Sequence, residues 1–546
     1  MSDKVVVTNR SALKAKYGDL ATIDDAVNQL VAADKARGVE TIVIALDDAA
    51  TMQKYNAPVV TDATSAKQNK DAIDAIDKAT NAPDYLVILG GPDVIPHQDL
   101  KNPMASAADR DEFAWGDLPY ACEAPYSQNV QDFTGPTRIL GRIPDMPGAN
   151  DPAFLIGVLK TATEWKANPV ASYANVFGLS TFEWQASTKQ SVQNVFGATA
   201  ALSLSPSQGP AWDDPTLSAR AHFINCHGAL NDSKFYGQAG SFFPPSHKSE
   251  VLAGKRFDGT IVSAECCYGG QLFLPKTPTG WGICTRYLEG GAYAYFGSTT
   301  IAYGPKKGNG QADVLCQLFL KKAISGASTG RSALEARQEF ISALSEMSPA
   351  DLKTIAQFNL YGDPSIHPAI APAAQAEAEA AAAPAAQPGV EAKGLPMGFG
   401  FEGFENPFEK IAKLIPKPFE RAERRHALTL KGLQLAANKA VAKFETIHAK
   451  LDDALKGELD KLTADLDIDA DDIKSFVVER TGQAQQAAER FSARAFGPAA
   501  ATNMHLIVGR RKSADQTDAP FLPHIVAIIA KEAGGKVLSY VELHSK

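Results

Sequence analysis

Two short stretches of the sequence bring together the groups that acyl transfer needs. The run HFINC at 222–226 leads straight into His227-Gly228, and TIVSA at 260–264 leads into Glu265-Cys266-Cys267-Tyr268-Gly269-Gly270. A cysteine becomes a nucleophile when a neighbouring base makes it a thiolate, and the oxyanion that follows needs N–H donors. Here His227 supplies the base and later the acid. The backbone N–H groups of Gly228 and of the cysteine supply the oxyanion donors. Glycine after the histidine lets the chain turn sharply and lets a carbonyl approach closely. Cys266-x-x-Gly269 and Cys267-x-x-Gly270 share one spacing. Adjacent strand residues point to opposite faces, so only one of the two cysteines faces His227. A zinc site from Cys226, His227, Cys266 and Cys267 would need adjacent strand residues on one ion, which the pleat opposes. No metal and no cofactor is expected.

Such groups converge only if a scaffold aims two strand ends at one cleft. Apolar, β-branched runs recur at 5–8 (VVVT), 41–45 (TIVIA), 85–89 (YLVIL), 138–141, 176–180, 222–226, 260–264 and 292–297. Helical patterns such as TIDDAVNQLVAADKARG and FLIGVLKTATEWKA separate them. Buried strands alternating with helices predict an α/β fold, a mainly parallel sheet sandwiched by helices. A sheet of this kind takes its ligand at the carboxyl ends of its strands.

These segments resemble the gingipain family of clan CD, the caspase-like cysteine peptidases, over residues 1–370. The family's mark is an apolar strand ending in His-Gly and a second ending in an acidic or amide residue, a small residue and Cys-x-x-Gly. YLVILGGPDVIP (85–96), Asp117-Leu118-Pro119-Tyr120, RILGRIPD (138–145), AYFGSTTIAYGP (294–305) and FNLYGDPSI (358–366) match further family segments in order. The resemblance implies a Cys-His dyad of His227 and Cys267, with Cys266 as the alternative nucleophile. It implies a peptide substrate and a preference for Arg or Lys before the scissile bond. Asp117, Asp132 and Glu265 are the candidate substrate-binding acids, and Asp117 is also a candidate to orient His227.

The chemistry of the chain changes after residue 370. The expected organisation is two α/β peptidase subdomains (1–145 and 146–370), an Ala/Pro/Gly-rich linker (371–405), a helical region (406–497) and a small strand–helix–strand element (498–546). Residues 411–450 carry 9 Lys/Arg against 3 Asp/Glu, and 451–472 carry 9 Asp/Glu against 2 Lys, which predicts an antiparallel helical hairpin whose arms attract, with a basic amphipathic helix that meets a membrane or an acidic partner as the alternative. In the tail, APFLPHIVAIIAKEAGG reads as a helix closed by Gly534-Gly535. The linker is a place for self-cleavage, at Lys393 or at Lys410 just beyond it.

With 54 basic and 62 acidic residues the net charge is −8, which argues against nucleic acid as a partner. No apolar run is long enough for a transmembrane helix, and the first residues lack the pattern of a secretory signal. Six scattered cysteines without a CxxC pair fit a reducing, cytoplasmic setting. The expected function is an intracellular cysteine endopeptidase whose residues 406–546 regulate it or bind a partner. The alternative is a latent or non-catalytic scaffold of the same fold.

Overall fold

The computed structural model describes residues 2–277, 280–370, 418–439, 442–447, 453–466, 468–480, 503–511, 519, 521–533 and 536–546. The linker 371–405 with Lys393, and Lys410 after it, lie outside these residues. No helix among the described residues is long and apolar enough to cross a membrane.

The β-branched runs form one ten-stranded sheet. Its spatial order is Thr41–Ala45, Lys4–Thr8, Tyr85–Leu89, Leu140–Ile143, Phe358–Tyr361, Ala294–Ser298, Ile261–Ala264, Ala221–Asn225, Val176–Thr181 and Ser203–Ser205. The first five strands run parallel to one another, as do the last five. The two blocks meet antiparallel, where Phe358–Tyr361 pairs with Ala294–Ser298. Segments 1–145 and 146–370 therefore share one sheet, and their strand ends open at opposite edges. Only the second block aims its strand ends at the cleft of His227 and Cys267.

Both faces of the sheet are covered. Helices Ala153–Glu164 and Ile283–Glu289 pack Leu155, Val158 and Tyr287 on one face; Gln311–Ile324 and Thr329–Ala343 pack Leu315, Phe319 and Phe340 on the other. The pleat sorts the cysteine strand between the two cores. Val262, Ala264 and Cys266 enter the first, while Ile261 and Cys267 enter the second. The helix Pro349–Gln357, which precedes Phe358, starts at a capping box: Ser348 accepts from the Asp351 N–H and Asp351 answers the Ser348 N–H.

The C-terminal part departs from the sequence expectation. In place of a helical hairpin there are two helices, Pro418–Lys439 and Asp453–Asp465, each followed by a strand, Ala442–Ile447 and Ile468–Arg480. In place of strand–helix–strand, the tail forms three antiparallel strands, Asn503–Arg511, Ile525–Ala533 and Lys536–Ser545. The basic helix docks on the ten-stranded α/β part instead of on an acidic arm: Leu435 enters the second core and Gln338 donates to the Leu428 carbonyl at 2.8 Å.

Burial explains the strand at 525–533. Ile525, Ala527 and Ile529 enter the second core, while Val526, Ile528 and Ala530 pack against Leu455 and Leu459 of the helix Asp453–Asp465. A helix would bury one stripe; the strand buries both faces. Each buried Ile or Val is worth about 1.5–3 kcal/mol, against helix-propensity differences of roughly 0.7 kcal/mol or less. The resulting six-stranded sheet begins on Tyr303–Gly304 of the α/β part, which pairs antiparallel with Lys536–Ser545.

Candidate active site

His227 follows Asn225 and Cys226 directly, at the carboxyl end of its strand, and pairs through His227–Gly228 with Lys234–Tyr236. Its Nε2 lies 2.8 Å from Gln238 Oε1, and the Gln238 amide nitrogen donates to the Gly240 carbonyl at 3.0 Å. That second bond fixes the glutamine's orientation, so Nε2 carries the proton and Nδ1 is the free base. His227 Nδ1 is buried with no hydrogen-bond partner among the described residues. Burial holds the imidazole neutral, pushing its pKa down to about 3. The ring packs against Trp184 and Phe243, and it lines a cavity of about 310 Å³ with Gln238, His524 and His544.

Cys267 stands at the end of the neighbouring strand. The two backbones touch: a methyl group on Gly228 would lie 1.8 Å from the Cys267 carbonyl oxygen, so only glycine fits there. The Cys267 thiol donates to the Ala302 carbonyl at 3.5 Å, and burial pushes its pKa up to about 12. The pair as it stands is neutral thiol and neutral imidazole. Cys266 points into the opposite core, its thiol toward the Ile224 carbonyl.

One residue fills the ground beside both. The Cys267 N–H donates to the Lys546 oxygen at 2.7 Å, and the Lys546 N–H donates to the Ala302 carbonyl at 3.0 Å. The Lys546 side chain runs past Gly304, where a Cβ would come within 2.2 Å of its Cε. Its Nζ lies 2.9 Å from Glu265 Oε2 and 2.6 Å from Asp313 Oδ1, with the Trp184 ring at 5.3 Å. All three charged side chains are fully buried. Burial pulls the ammonium's pKa down, but Asp313 and Glu265 outweigh it and hold it above the usual lysine value. Burial and the Asp313 charge push Glu265 well up.

Of the three candidate acids, the structure brings only Glu265 to this site. Asp117 sits in the core: Arg142 grips it at 2.8 and 2.5 Å and His97 binds it at 2.9 Å. Burial would raise its pKa, yet Arg142 and His97 hold it below the ordinary carboxylate range. With its oxygens so taken it neither lines the cavity nor orients His227, whose partner is Gln238. Asp132 is exposed and accepts from Ser127 at 2.6 Å. Asp313, Gln238 and Lys546 were missed in the sequence. Asp313 reads there as an ordinary first-turn acid of the helix Gln311–Ile324, and nothing local marks the other two. A second cavity, about 340 Å³, lies by Tyr85, Trp165 and His367 and touches none of these residues.

Residues 251–369, which hold Glu265, Cys267, Ala302–Gly304 and Asp313, match Peptidase family C25. Over these residues the chain is similar to that peptidase family. The C25 match leaves His227 outside its limits, so the histidine rests on the geometry above. Two solved structures are similar over 67% of this chain and 78% of theirs. One is described as "Structure of Protease" (17% identity, TM-score 0.43) and the other is the Arg-specific cysteine proteinase gingipain R (12% identity, TM-score 0.45). A comparison with curated proteins found no match.

Proposed function

We propose that this protein is a cysteine endopeptidase that cleaves after a basic residue, with Cys267 as nucleophile and His227 as acid and base. The observation that carries this reading is the hydrogen bond from the Cys267 N–H to the Lys546 oxygen, on a strand end whose backbone touches Gly228, next to His227. His227 Nδ1 takes the thiol proton, and the sulfur attacks the substrate carbonyl carbon. The Cys267 and Gly228 N–H groups stabilise the oxyanion. The imidazolium then protonates the leaving amine, and a water deprotonated by His227 hydrolyses the thioester, returning the thiol. Glu265 and Asp313 receive the basic side chain.

The buried, neutral dyad supports a latent resting state, and residues 406–546 act as its regulatory region, open to a partner. Six unpaired cysteines support a reducing, cytoplasmic setting. The test is intact mass spectrometry with a lysyl acyloxymethyl ketone probe on the native protein and on Cys267→Ala. An adduct lost in Cys267→Ala supports the assignment; an adduct that persists moves the nucleophile elsewhere.

A further inference from the structure

Two carboxylates buried side by side repel each other and stay ionised only beside a cation. Glu265 and Asp313 are such a pair, and no lysine or arginine of residues 2–370 forms an ion pair with either among the described residues. Among the described residues Glu265 Oε1 is buried with no hydrogen-bond partner, so even Lys546 leaves part of the site unsatisfied. The cation comes from the far end of a different sheet. It arrives on a strand whose Ser545 and His544 pair with Tyr303 and Gly304. Its N–H binds Ala302 and its oxygen meets the N–H of the nucleophile. An extended peptide on the acyl side of a scissile bond would make this set of contacts: edge pairing, a seated side chain and a carbonyl at the oxyanion donor.

Building on the peptidase reading, we infer that Glu265, Asp313 and Gly304 form a lysine-reading pocket, and that His544-Ser545-Lys546 occupies it in cis as a substrate-like plug that keeps the enzyme latent. Lysine is favoured over arginine by shape. The two carboxylates offer one oxygen each to a single point, which suits a compact ammonium; a planar guanidinium needs a fork-shaped partner and more length. The closed end of the pocket at the buried Glu265 and the tight passage at Gly304 leave no such room. Activation is displacement of the strand, which exposes Cys267 and His227 to water and to substrate together.

The test is native alkylation by iodoacetamide, with each cysteine followed by peptide mass mapping, in the full-length chain and its Lys546→Met and Lys546→Ala variants. Cys267 is expected to react at least ten-fold faster in both variants, with the other five cysteines unchanged. Adding the peptide Val-Glu-Leu-His-Ser-Lys should restore protection. The same peptide ending in Arg should do so at least ten-fold more weakly, and one ending in Ala not at all. Gly304→Ala evicts the lysine from the opposite wall, so it too should unmask Cys267, with no peptide protecting it. Equal alkylation of Cys267 in native protein, Lys546→Met and Gly304→Ala would overturn the inference, as would equal protection by the Lys and Ala peptides. These readouts report occupancy alone. Lys546 variants that unmask Cys267 yet hydrolyse no lysyl peptide would sink the peptidase reading and keep the pocket; equal hydrolysis by native protein and the Lys546 variants would do the reverse.

Discussion

Lys4 and Lys546 are both fully buried, and each is held between two carboxylates, yet the two sites are built differently. Lys4 opens the second strand of the sheet and binds Asp34 at 2.8 Å, Asp363, and Ser365 at 3.2 Å. Around it, Thr41 donates to Asp34 and the Ser365 N–H and hydroxyl donate to Asp363. Every partner belongs to the same domain, so the network closes on itself. At Lys546 the acids belong to the ten-stranded α/β part and the cation to the added sheet, with one Glu265 oxygen left over among the described residues. A closed network is architecture; an acid pair whose cation arrives from elsewhere is a socket.

The sharpest way to separate the sites is chemical. With Lys546→Met as background, adding Cys267→Ala is expected to cut hydrolysis of lysyl peptides by roughly 10³-fold or more. A thermal melt should shift little, because no charge is left unpaired. Residual hydrolysis within ten-fold of the background would mean that the socket serves a different nucleophile.

Stability gives the next largest contrast. Lys4→Met strands Asp34 and Asp363 in the core and should cost about 3–5 kcal/mol in urea unfolding. Lys546→Met should cost on the order of 1 kcal/mol, since its strand can lift away and let water reach the acids. Equal losses would erase the distinction between architecture and socket.

Acid should weaken both regions through their buried histidines. His227 is held neutral with its pKa near 3, His247 is likewise at about 3, and His222 and His367 are at about 4. Because the unfolded chain binds these protons near pH 6.5, stability conferred above that pH is lost as pH falls from about 6.5 toward 4. Each histidine contributes a slope of up to about 1.4 kcal/mol per pH unit. His227→Gln should remove one such increment in unfolding curves at pH 7, 6 and 5. An unchanged slope would show that His227 is already open to solvent. The smallest effect is expected at Asp132: Asp132→Asn should stay within about 0.5 kcal/mol and leave the lysyl-peptide kcat/KM unchanged. A ten-fold fall there would reopen it as a specificity residue.

Much of the site is legible because it is local. The strand-then-His-Gly and strand-then-Glu-Cys-Cys patterns need only the alternation of an extended chain to be read, and the same alternation sends Cys266 and Cys267 into different cores. Asp117 misled because a motif match carries no information about partners, and Arg142 had already claimed both of its oxygens. The tail misled for a related reason. IVAIIAKEA can bury one stripe as a helix or two faces as a strand, and only the presence of a core on each side decides between them.

By itself, then, the sequence determined the α/β architecture, the histidine and the cysteine strand ends, and one acid of the socket, since each follows from contacts a few residues long. Tertiary structure alone decided that the sheet reverses at Phe358–Tyr361, that Asp313 joins Glu265, and that Lys546 completes the pair. Those groups come from distant parts of the chain, and no local pattern encodes which buried charge will find its partner once the two sheets have packed.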